Sequence, residues 1–129
     1  MIFGHGIDIV AIERIKETIE ASDSFKTRVF TDKEIDYCQS KKNKFQSFAG
    51  RFAAKEAFIK ALGTGFADGI SWKDIEILNN ELGKPHIELH NEAKNIFLHK
   101  KMSDILVSIS HEKEYAIASV IINSLPKTY

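Results

Sequence analysis

Asp8, Glu56 and Lys60 are the residues of this chain whose types and setting suit chemistry on phosphate. Asp8 lies in Ile2-Phe3-Gly4-His5-Gly6-Ile7-Asp8-Ile9-Val10, which reads as a strand with Phe3, Ile7 and Ile9 on one face. Aspartate is disfavoured inside strands, and a lone buried carboxylate is heavily penalised. Asp8 therefore needs a partner. Backbone amides of a turn would satisfy it structurally. A hard divalent cation shared with Glu56 is the reading with functional content. Magnesium takes one or two protein carboxylates and fills its shell with water and phosphate oxygens. Two carboxylates beside an ammonium thus suit a diphosphate better than a closed structural metal site.

Glu56 and Lys60 stand on Arg51-Phe52-Ala53-Ala54-Lys55-Glu56-Ala57-Phe58-Ile59-Lys60-Ala61-Leu62-Gly63-Thr64-Gly65, which reads as a helix ended by glycine. Phe45, Phe48, Phe52, Ile59 and Leu62 recur at helical spacing and predict one inward stripe. Ala49, Ala53, Glu56 and Lys60 make the adjacent stripe, where alanines allow another element to approach closely. As a plain surface feature, the Glu56–Lys60 pair would add only about 0.2–0.5 kcal/mol to the helix.

The surrounding elements must position these groups. Ile12, Ile15 and Ile19 mark a first amphipathic helix, with Glu13, Arg14, Lys16, Glu17 and Glu20 outward. Asp23 to Phe30 predicts another short helical piece. Thr31-Asp32-Lys33-Glu34 has the capping-box pattern and opens a helix that fades by Ser40. Lys41-Lys42-Asn43-Lys44 is a basic, solvated connection into the long helix. Phe66-Ala67-Asp68-Gly69 reads as a loop.

Ile75 and Ile77, alternating with Asp74 and Glu76, predict a half-buried strand. The turn Asn79 to Pro85 joins it to the alternating segment His86 to His90, giving a hairpin. Asn91 is expected to cap a short helix with Ala93, Ile96 and Phe97 inward. Ile105, Val107 and Ile109 lead to His111, and Glu112-Lys113-Glu114 turns into a last strand, Tyr115 to Ile122. The pattern is α+β: one compact domain over residues 1–129, with antiparallel strands packed on a long helix.

Composition narrows the function. With 43% hydrophobic residues among 129, one core is within reach. Lys+Arg and Asp+Glu both number 18, so the chain lacks the basic excess of a general nucleic-acid binder. Cys38 is the only cysteine and reads as filler on a short helix, consistent with a reducing compartment. No basic-then-apolar leader opens the sequence and no apolar run would cross a bilayer, so the expected location is cytoplasmic. His5, His86, His90 and His99 show no zinc-ligand spacing. The Gly-x-Gly near the N-terminus lacks the third glycine and immediate helix of a dinucleotide fingerprint.

Gly4-His5-Gly6-Ile7-Asp8-Ile9-Val10, followed by Glu13-Arg14-Ile15, resembles the opening of the holo-[acyl-carrier-protein] synthase family. Arg51 to Gly65 resembles the second signature of that family, and Gly83-Lys84-Pro85 and Ser108-Ile109-Ser110-His111 fall where the family has them. The resemblance covers nearly the whole chain. It implies a 4'-phosphopantetheinyl transferase-like fold. It also implies an enzyme of fatty acid biosynthesis that moves the phosphopantetheine arm of coenzyme A onto a serine of apo acyl carrier protein, leaving adenosine 3',5'-bisphosphate. Asp8 and Glu56 would then ligate magnesium, and Lys60 would reach a phosphate oxygen. Glu56 would also be placed to accept the serine proton, a lesser role because a metal-bound carboxylate is a poor base.

Further roles follow from the same resemblance. His111 would contact the nucleotide part of coenzyme A, Lys84 and Pro85 would border its adenine or 3'-phosphate, and Arg51 would pair with a coenzyme phosphate or serve as a surface arginine. Acyl carrier proteins are acidic, and a chain of zero net charge must meet one with a local basic patch. Arg14, Lys16, Lys26 and Arg28 offer it, with Phe25 as an apolar anchor. The family's homotrimer, with active sites between subunits, comes from resemblance alone. Two other classes stay open: a different magnesium-dependent enzyme acting on a nucleotide diphosphate, and a non-catalytic oligomeric binding module on the same fold.

Overall fold

Alternation and helical spacing resolve into the order β1 (Ile2–Ala11), α1 (Ile12–Ala21), α2 (Asp23–Val29), α3 (Asp32–Gln39), α4 (Lys44–Leu62), a 3-10 turn (Trp72–Asp74), β2 (Ile75–Asn79), β3 (Pro85–Leu89), α5 (Asn91–His99), β4 (Met102–His111) and β5 (Tyr115–Ser124). The computed structural model describes residues 1–66 and 69–126; Ala67 and Asp68 of the expected loop lie outside the described residues. Strands β1, β5 and β4 form an antiparallel sheet in that order, and β2 and β3 form a separate antiparallel hairpin.

Helix α4 lies across one face of the three-stranded sheet, over Ala116, Ala118, Val120 and Ile122 of β5, all buried. Gly50 meets Ile109 of β4 near one end. Further along, the carbonyls of Ala57 and Ala61 press on Gly6 and Gly4 of β1. A Cβ at either glycine would stand 1.9 Å from a carbonyl oxygen. The helix stops at Gly63, whose φ of 87° is left-handed and whose N–H donates to the Ile59 carbonyl at 3.1 Å.

The helix buries more than the single stripe expected of it. Arg51 and Lys55 are buried with Phe48, Phe58 and the alanines, while Phe45 and Phe52 are only half-buried. Lys55 explains how this is possible. Its Nζ donates to Glu34 Oε1 at 2.7 Å, to the Val29 carbonyl at 2.8 Å and to the Trp72 carbonyl at 3.1 Å. Three acceptors match the three donors of an ammonium. Burial pulls the Lys55 pKa down, and the Glu34 charge opposes that shift. Glu34 completes the expected capping box at Thr31 and also accepts the Ile77 N–H at 3.0 Å. One pair therefore ties α2, α3, the 3-10 turn and β2 to α4.

Two expectations are corrected. Asp74 and Glu76 are buried rather than alternating outward, since Thr31 and His90 hydrogen-bond Glu76 while Ser71 and Asn91 satisfy Asp74. Asn91 does not cap α5. His90 holds the N-cap position, and Asn91 is the first helical residue, with φ 50° and its amide donating to Asp74 Oδ1 at 3.1 Å. Among the described residues, no helix is long and apolar enough to cross a membrane.

Candidate functional site

Alternation along β1 puts Gly4, Gly6, Asp8 and Val10 toward α4 and turns Phe3, Ile7 and Ile9 away from it. Because the two glycines let the strand lie against the helix, Asp8 comes beside the last turns of α4. Lys60 Nζ donates to Asp8 Oδ1 and to the Ile7 carbonyl, both at 3.0 Å. The Asp8 side chain is 16% exposed and that of Lys60 54%. Glu56 stands one turn before Lys60 on the same helix face. Its pKa is raised, first by burial and then by the negative charge of Asp8, with Lys60 opposing. Among the described residues, none forms an ion pair with Glu56. The three residues picked out by type are therefore gathered in space.

A second feature is a cleft of about 410 Å³ whose walls include Tyr37, Lys41, Arg51, Asn79, Pro85 and His111. It joins α3, α4, the hairpin turn and the end of β4. Arg51 is only 4% exposed. Its guanidinium lies 4.1 Å from the centre of the Tyr37 ring, Nη2 donates to Asn79 Oδ1, and Nη1 reaches Ser47 Oγ at 3.5 Å. Nε has no partner. Arg51, Pro85 and His111 thus line one cleft together. Lys84, between two residues of that wall, is exposed and does not line the cleft. Asp8, Glu56 and Lys60 do not line it either.

Arg14 and Arg28 are exposed, on α1 and α2. Phe25 is half-buried, with its ring 5.8 Å from that of Phe52 and 6.2 Å from that of Phe30, so part of its surface is already spent on the core. Cys38 is buried, its thiol pKa raised by that burial, which suits filler and not a nucleophile. Glu76, Glu88 and His90 offer ligand atoms within 4.8 Å of one another, although Glu76 and His90 already hydrogen-bond each other at 3.0 Å.

Sequence reasoning missed Tyr37, Ser47 and Asn79 around Arg51, because polar residues on three separate elements carry no shared spacing. It also missed the burial of Lys55. The one available signal was a lysine set among four alanines, Ala49, Ala53, Ala54 and Ala57, where nothing bulky shields a surface.

The family model of the 4'-phosphopantetheinyl transferase superfamily matches residues 4–120. Holo-[acyl-carrier-protein] synthase of Geobacter sp. (strain M21) is 46% identical over 123 residues, covering 95% of this chain and 98% of that protein. The same-named protein of Alkaliphilus oremlandii is 49% identical over 121 residues, covering 94% and 98%. The crystal structure of the Neisseria meningitidis synthase superposes with a TM-score of 0.89 at 32% identity, covering 96% of this chain and all of that one (100%). The Helicobacter pylori synthase, solved in complex with coenzyme A, gives a TM-score of 0.81 at 35% identity, covering 92% and 99%. A model match over most of the chain and identities near one half show that this chain belongs to the holo-[acyl-carrier-protein] synthase family of the 4'-phosphopantetheinyl transferase superfamily.

Proposed function

We propose that Asp8 and Glu56 hold a magnesium ion against the diphosphate of coenzyme A, with Lys60 as the neighbouring cation. As a member of its family, the enzyme moves the 4'-phosphopantetheine arm of coenzyme A onto apo acyl carrier protein and leaves adenosine 3',5'-bisphosphate. The observation that carries the metal reading is the setting of Glu56. It is a half-buried carboxylate without an ion-pair partner among the described residues, held beside the like charge of Asp8. Two carboxylates brought together, with one ammonium bonded to Asp8, leave room for more positive charge. Oxygen donors of this kind fit magnesium. When bound, the ion supplies charge neutralisation on both phosphates as the bond to the leaving group weakens.

The chain's own residues do the rest. Lys60 shares its ammonium between Asp8 and the Ile7 carbonyl, and is exposed enough to turn toward a phosphate oxygen. Arg51 and His111 hold the nucleotide end in the cleft, and Pro85 walls it. The acceptor is a serine hydroxyl of the carrier protein, whose proton Glu56 would accept as a role secondary to holding the metal, since a metal-bound carboxylate is a poor base. Arg14 and Arg28 meet the acidic carrier, with Phe25 presenting its uncovered edge.

The sites lie between copies of the chain in a homotrimer. Support comes from the outer face of the sheet. Phe3, Ile7, Ile9, Leu106 and Tyr115 lie there, 39%, 52%, 60%, 53% and 48% exposed. His5, Ser108, Ser110 and Ser119 share that face with them, and several large apolar side chains exposed together on one face are characteristic of an interface. The enzyme works in the cytoplasm, in fatty acid biosynthesis. Incubation with coenzyme A, magnesium and an apo carrier protein tests the activity. Mass spectrometry of the carrier should show a gain of one phosphopantetheine, abolished by chelation. An unchanged carrier mass would leave a nucleotide-diphosphate enzyme or a binding module as the reading.

A further inference from the structure

We infer that Tyr37 and Asn79 are positioning residues for Arg51, and that the three together make the enzyme prefer a coenzyme carrying the 3'-phosphate over the same coenzyme without it. This rests on the reading that the cleft takes the nucleotide end of coenzyme A.

Arg51 is a buried cation without a carboxylate to match it. Among the described residues, no acid lies within ion-pair distance, and its fixed contacts are all neutral: an aromatic ring, a carboxamide oxygen and a hydroxyl. A buried charge left uncompensated is costly. Lys41 and Lys42, which also line the cleft, add to the positive potential instead of relieving it. A bound ligand would supply the balancing charge. A phosphate suits the planar fork of a guanidinium.

The neutral contacts fix where that fork points. The Tyr37 ring covers one guanidinium face at 4.1 Å. Asn79 anchors one edge through Oδ1, and the direction of its carboxamide is itself locked, because Nδ2 donates to the Gly83 carbonyl at 2.9 Å. Flipping the amide would break both bonds and put an N–H against the cation. Asn79 therefore registers the guanidinium against the Gly83–Pro85 turn, which also lines the cleft. Neither neighbour removes the charge of Arg51, and both spare it from the conformational search that a free arginine would make on binding.

The test compares coenzyme A with dephospho-coenzyme A in steady-state transfer to apo carrier protein. Tyr37→Leu and Asn79→Ala should each raise the KM for coenzyme A about tenfold, the worth of one charge-assisted hydrogen bond, with kcat nearly unchanged. The KM for the dephospho form should stay at its wild-type value, so the preference collapses. Tyr37→Phe should restore wild-type kinetics, since the stack needs the ring and not the hydroxyl. Asn79→Asp should neutralise Arg51 and also lose the Nδ2 bond to the Gly83 carbonyl, again abolishing the preference. It also serves if a truncated variant fails to fold. Equal weakening of both coenzymes would show that these residues only brace the hairpin. An unchanged KM, a wild-type preference in Asn79→Asp, or a wild type indifferent to the 3'-phosphate would each overturn the inference. Wild-type protein that transfers nothing from either coenzyme would instead reject the underlying function.

Discussion

Gly6 of β1 sits against Ala57 of α4 with no space for a side chain: a Cβ there would stand 1.9 Å from the Ala57 carbonyl oxygen and 2.7 Å from the Ala61 nitrogen. Both obstacles are backbone and cannot rotate aside. Strand and helix must separate to admit even one methyl group. Gly6→Ala should therefore cost about 3 kcal/mol, the upper end of typical overpacking penalties, read as a lower urea midpoint. Because Asp8 is two residues on, transfer measured on the folded protein should fall as well. An unchanged midpoint would mean that β1 reaches the helix in another way.

Glu56→Gln separates stability from activity. The folded-state pKa of Glu56 is raised by burial and by Asp8. A raised carboxyl binds protons more tightly in the folded state than in the unfolded one. Its penalty is absent at low pH and grows as pH rises through the folded pKa. The variant should consequently melt higher than wild type at neutral pH. That advantage should vanish as pH falls below the ordinary carboxylate range. Transfer should be nearly lost, as it should in Asp8→Asn. A Glu56→Gln protein that melts lower at pH 7, or keeps wild-type turnover at limiting magnesium, would contradict the shared site.

Lys55→Met removes one half of a fully buried ion pair. Glu34 would be left ionised without its cation, and the Val29 and Trp72 carbonyls would lose their donor. Breaking such a pair costs about 3–5 kcal/mol. Lys33→Met, one residue before Glu34 but exposed, should change stability by less than about 0.5 kcal/mol. Chemical denaturation of the two variants side by side measures the contrast. Similar midpoints would deny Lys55 its central place.

Arg14→Glu probes carrier docking. Arg14 is exposed on α1, whose Ile15 is buried, so the reversal should leave the fold intact. The KM for the carrier protein should rise at low salt, and added salt should narrow the gap from wild type, since exposed charges act over a short, screened range. The KM for coenzyme A should hold. Carrier kinetics unaffected by the reversal at low salt would move the docking surface elsewhere.

Element types were legible because periodicity reports burial. The capping box at Thr31, the left-handed stop at Gly63 and the strand endings around Pro85 and His111 all follow from local chemistry. Asp8, Glu56 and Lys60 were legible because an acid in an apolar strand conflicts with its surroundings. What stayed hidden was long-range pairing. Glu34 reads as a cap, but its partners are 21 and 43 residues away in Lys55 and Ile77. Asp74 and Glu76 read as outward because alternation says nothing of the elements that later cover them. Arg51 read equally well as surface, since its neighbours Tyr37 and Asn79 meet it only through the tertiary fold.

The apolar outer face of the sheet has a genetic consequence under the trimeric reading. A site assembled from two neighbours belongs to neither chain alone. A defective copy mixed with sound ones would spoil sites on both of its sides, so activity in a mixed population would fall more steeply than the fraction of defective chains. Two copies crippled at different residues could, conversely, rebuild one intact site where their undamaged halves meet. Dilution would act in the same direction as mutation, silencing chains that are individually sound by leaving Ile7 and Ile9 facing water.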